Sequence, residues 1–137
     1  MQSTLTDRAR VQSRRSWHDD VPVAAAAAGV AGLLWGLARL AGIHLEVHSG
    51  GETQSVGLVS VLVVPVVATL AAGALLRGWQ RRSPRALSRW TALSAAIVVS
   101  SMVGPASAVG ASAGLALAAM HVAVGSTIIV GLIRRGR

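Results

Sequence analysis

Between Arg89 and Arg134 lie about 44 residues with no Asp, Glu, Lys or Arg. As helix, at 1.5 Å per residue, that is roughly 66 Å, about two crossings of a ~30 Å hydrocarbon core and a turn. The segment "GPASAVGAS" (104–112) supplies the turn, because Pro105 and its glycines interrupt a helix. Two further apolar blocks precede it, one from Val21 to about Gly42 and one from about Gln54 to Leu76. Four membrane spans are expected, at about 21–42, 54–76, 87–106 and 112–133, in an all-α, four-transmembrane-helix bundle. A cleaved signal peptide competes for the first block, but its apolar region would be only about 7–15 residues long.

Composition agrees. Charged residues make up 13% of the chain and hydrophobic ones 53%, whereas soluble domains are about 25% charged. The aromatics are all Trp. Cysteine is absent, which removes disulfides and thiolate chemistry. The net charge of +8 comes entirely from arginine. These arginines lie in short clusters beside apolar blocks, without a basic stripe or interleaved aromatics, so nucleic acid is not an expected partner. Anionic lipid headgroups are. The Ala/Gly/Val/Arg bias without Lys suggests a GC-rich bacterial genome.

The clusters also set orientation. Arg8, Arg10, Arg14 and Arg15 precede span 1. Arg77, Arg81, Arg82, Arg85 and Arg89 lie between spans 2 and 3, and Arg134, Arg135 and Arg137 follow span 4. The loop at 43–53 and the turn near 107–111 have none. The positive-inside rule then places the N- and C-termini in the cytoplasm of a bacterial inner membrane. Residues 1–20 read as a disordered basic tail and 134–137 as a basic end. Trp17, Trp79 and Trp90 fall at the expected cytoplasmic boundary, and Ser83-Pro84 suits the start of span 3.

Two ionisable residues fall within spans, Arg39 and His121. Gly110, Gly114, Ala118, His121 and Gly125 share a helix face, as do Ala25, Gly29, Gly32, Gly36 and Arg39. Small residues let helices approach closely in lipid, so both faces are expected to point into the bundle. His121 then needs hydrogen-bond partners, with Ser94, Ser100 and Ser101 of span 3, Thr69 of span 2, and Arg39 as candidates. The plain role is a neutral imidazole bridging helices; the functional role is a proton relay or ligand contact. Arg39 has its own plain role, snorkelling to the interface or pairing with Glu46 or Glu52. Its functional role would be to bind an anion. Pro65 inside span 2 is expected as a tolerated kink.

In the outer loop, His44, Glu46 and His48 alternate with Leu45 and Val47, and Gly50-Gly51 suits a tight turn. Two His and a Glu resemble part of a zinc site, but further ligands would have to be Glu52 or a distant group, and no metal is assigned. The plainer expectation is an ordered cap over the bundle's outer mouth, with Thr53 or Gln54 capping span 2 or bonding Arg39. No catalytic set or cofactor motif is present, so the chain is not expected to be an enzyme.

"GIHLEVHSGGETQSVG", "MVGPASA" and "MHVAVGSTIIVGL" resemble a family of small four-span actinobacterial membrane proteins classed as a domain of unknown function. The resemblance covers about residues 21–133. It implies the four-span fold and no activity. Members of that family often carry Asp and Arg where this chain has His44 and His48, which weakens a zinc role. They also often have Pro near Val130, so the end of span 4 is expected to be more regular here. Two functions remain: a non-enzymatic membrane component acting through helix or outer-loop contacts with a second copy or an envelope partner, or a small transporter or proton-coupled permease using His121 and Arg39. An envelope enzyme is a distant third.

Overall fold

The computed structural model describes residues 17–136. Arg8, Arg10, Arg14 and Arg15, most of the expected tail, and Arg137 lie outside the described residues. Among the described residues, four helical segments are long and apolar enough to cross a membrane. The protein is a multi-pass membrane protein built as a helical bundle.

Helix α1 spans Val21–Leu40, after a short 3-10 turn at Trp17–Asp19. Pro22 sits in its first turn, where a missing N–H costs nothing. Its end is a Schellman cap: Gly42 N–H bonds Arg39 O and Ile43 N–H bonds Ala38 O, with Gly42 at φ +76°. Only glycine adopts that φ without strain.

Span 2 starts later than expected. Residues 54 and 55 belong to a hairpin of β1 (Glu46–Ser49) and β2 (Glu52–Ser55). Gly50 and Gly51 both have positive φ (62° and 89°), the mark of a type I′ turn matched to strand twist. Helix α2 therefore runs Leu58–Gln80. Its N-cap is Gly57, with no side-chain cap bond, so neither Thr53 nor Gln54 caps it.

Span 3 divides into α3 (Ala86–Ser100) and a short α4 (Val103–Ala106). Pro105 has no N–H to give the Ser101 carbonyl, and Gly104 N–H takes that carbonyl instead, at 3.1 Å. At the start of α3 the N-cap is Arg85, whose N–H donates to Ser83 Oγ at 3.3 Å, so the capping residues lie slightly later than Ser83-Pro84. Helix α5, Ala111–Gly136, follows Gly110 at φ +95°.

The helices form a ring in the order α1, α2, α3, α5. Helix α1 packs extensively on α2 and α5, while α2 and α5 meet only lightly across the ring. One apolar cluster, around Trp90, Leu76 and Leu132, lies at the arginine-bearing end. A second, around Leu45, Leu117 and Met120, lies under the hairpin.

Candidate functional site

The light contact between α2 and α5 leaves a cavity of about 630 Å³, walled mainly by α2, α3 and α5 and open sideways where the exposed Val64, Ala68, Leu93 and Ile97 line it. Val47 and Val56 of the hairpin segment form its outer boundary, and Trp90 and Leu75 line it toward the arginine-bearing end. Its walls are apolar except for Ser60, Ser94, Ser101 and His121.

His121 occupies this cavity without joining two helices. Its Nδ1 donates to Leu117 O, one turn back on the same helix, at 3.0 Å. A carbonyl only accepts, so Nδ1 carries a proton, and in the neutral ring Nε2 presents a lone pair. Two of the expected hydroxyl partners, Ser101 and Thr69, behave in the same local way. Ser101 Oγ donates to Val98 O at 2.8 Å, and buried Thr69 Oγ1 donates to Pro65 O at 2.7 Å. Each of these bonds stays within its own helix, so none of them bridges two helices. Ser101 shares the cavity with His121; Thr69 does not line it.

Arg39 lies elsewhere. It is exposed at the hairpin end of α1, with its guanidinium 5.6 Å from the Trp35 ring centroid. The buried stripe of α1 is Val23, Ala24, Ala27, Ala31 and Ala38, which turns the Gly29–Gly36–Arg39 face outward instead of into the bundle. Arg39 therefore forms no ion pair with Glu46 or Glu52 among the described residues.

The glycines divide accordingly. A β-carbon at Gly32 would lie 3.1 Å from Leu62, one at Gly114 3.3 Å from Pro105 O, and one at Gly125 2.8 Å from Val98. At Gly29 and Gly36 it would meet nothing within 4 Å. Two further close approaches involve glycines outside the two expected faces: Gly131 against Val23, and Gly73 against the Asp20 carboxylate.

The outer loop is ordered by hydrogen bonds on both sides. The Trp35 indole N–H donates to Val56 O at 2.9 Å. On the other edge of β1, His48 N–H reaches Ser107 O and Val109 N–H reaches Glu46 O, at 3.0 and 2.9 Å. Gln54 lies opposite Val47, and Glu46 opposite Ser55, while Glu52 and Gln54 are exposed. Among the described residues no group of three His, Cys, Asp or Glu is gathered to hold a metal ion.

The strongest polar feature is one that sequence reasoning missed. Asp20, grouped there with the polar tail, is fully buried at the N-cap of α1. Its carboxylate makes no cap bond; it pairs with Arg77 in the last turn of α2. The acid lies at a helix N-terminus and the guanidinium at a C-terminus, each favoured by the local dipole. Nearby, Arg135 donates to Asp19 O at 2.7 Å. Trp90, expected at the interface, is buried in the core, its N–H donating to Ala72 O at 3.0 Å. Asp20 directly before an apolar block was the available signal, but several arginines could have answered it.

No curated protein and no solved structure matches the chain. The family model described as "Family of unknown function (DUF6069)" matches residues 11–137, and the chain belongs to that family.

Proposed function

We propose that the protein is a non-enzymatic component of the bacterial cytoplasmic membrane, acting through helix and outer-hairpin contacts, with a second copy of itself as the helix partner and an envelope protein as the hairpin's. The outward glycine face of α1 carries this reading. Gly29 and Gly36 cost helix propensity, about 1 kcal/mol each relative to Ala, and no neighbour within the chain uses the space they leave. Exposed Leu33, Leu37 and Leu40 border them. Small residues flanked by large ones on a lipid-facing helix fit close packing against another helix. Subunit counting in nanodiscs tests it: wild type should hold more than one copy, and Gly36→Ile should shift it to one. A wild type that stays single at high protein-to-lipid ratio would refute self-association.

Exposed Arg81, Arg82, Arg85, Arg89, Arg134 and Arg135 supply the positive charge of one end. We assign that end, with both termini, to the cytoplasm, where the arginines meet anionic headgroups. The chain has no cysteine, so single substitutions report cleanly. A membrane-impermeant maleimide should label Thr53→Cys on intact spheroplasts and Arg85→Cys only after lysis; the reverse pattern would invert the topology. A proton-coupled permease would need one path through His121 and Arg39, and the cavity that His121 lines does not include Arg39.

A further inference from the structure

The cavity has the size of a small-molecule site, for which volumes of about 300–1,000 Å³ are usual. It opens through the exposed apolar flank between α2 and α3, so the molecules that can fill it are those dissolved in the bilayer. No charged side chain lines it, which rules against an anionic or cationic headgroup. Val64, Ala68, Leu93, Ile97 and Val124 offer nothing to a cluster of waters.

The polar lining is selective at His121, while the hydroxyls of Ser60 and Ser94 can each donate or accept. Ser101 has committed its proton to Val98 O, and His121 has committed its Nδ1 proton to Leu117 O. His121 Nε2 has no partner among the described residues and accepts only. A ligand group facing it must donate. A ketone or ester oxygen would meet a lone pair; a hydroxyl would be satisfied.

We propose that this cavity binds a membrane-soluble molecule with an apolar body and a single hydroxyl group, the hydroxyl donating to Nε2 of His121. The site takes its occupant from the bilayer and works whether or not the protein self-associates.

Trp90 lines the cavity and reports occupancy. The full-length protein in nanodiscs is titrated with bromododecanol, bromododecane and the matching bromo methyl ketone, each counted per lipid. The quenching that disappears in Trp90→Phe is the signal. Bromododecanol should reach half-quenching at about three- to tenfold lower concentration than the other two, the worth of one net hydrogen bond. His121→Phe should abolish that preference, while His121→Gln, whose amide oxygen still accepts, should keep it. Ala71→Phe, which fills the cavity, should shield Trp90 from all three probes. Equal quenching by alcohol and alkane in the wild type would overturn the hydroxyl site. So would a preference that survives His121→Phe. Undiminished quenching in Ala71→Phe would overturn the cavity as the place of binding. If His121→Phe does not fold, the wild-type ratio and Ala71→Phe still decide.

Discussion

Arg77→Ala is expected to destabilise the bundle by about 3–5 kcal/mol, the usual cost of removing one partner from a buried ion pair. The Asp20 carboxylate is fully buried, and its Oδ1 already lacks a hydrogen-bond partner. Arg77 is the only cation paired with it among the described residues. Without Arg77 the full negative charge would sit in a medium that solvates it poorly. Asp20→Asn in the Arg77→Ala background should recover part of the loss, because a neutral amide needs no counter-charge. Denaturation of the detergent-solubilised protein measures both. If the single variant loses under 1 kcal/mol, the pair is not what holds α1 to α2.

Trp90→Ala comes second, with an expected loss of about 3 kcal/mol. Buried aromatics in soluble proteins lose about 3–5. The low end applies because lipid replaces part of the lost contact, and no hydrophobic transfer drives helices together in a bilayer. What goes is the contact of the indole with the cluster containing Val23, Leu76 and Leu132, and the bond to Ala72 O. Trp90→Phe should keep most of the packing and lose only the bond, about 1 kcal/mol. Equal losses for the two variants would place the stabilisation in the hydrogen bond.

Hydropathy made the four apolar helices legible, because only a helix satisfies its own backbone in lipid. Glycines at 50 and 51 signalled a turn, and the alternation from His44 to His48 signalled an extended segment beside it. The inward face of α1 was not legible. Alanines and glycines are both small, and either stripe fits a helix contact; the chain uses Ala24, Ala27 and Ala31 inside and leaves Gly29 outside. Nor was the behaviour of His121. Spacing put it on a face with glycines, but a donor in a helix always has a carbonyl within reach one turn back, and that local bond displaced every distant partner. Asp20 was missed for a related reason: a boundary between polar and apolar sequence does not say which side of it is buried.

The chain is stapled at both ends of its bundle. On one side the hairpin following α1 is bonded to the Ser107–Val109 turn that precedes α5. On the other, Asp19 and Asp20 hold Arg135 and Arg77, the closing turns of α5 and α2. Both mouths are tied in this way, whereas the third span is the least buried of the four. The least enclosed wall is the third span. Any guest exchanging with the interior would pass sideways, through a flank facing the lipid tails, and neither aqueous phase would serve as its doorway.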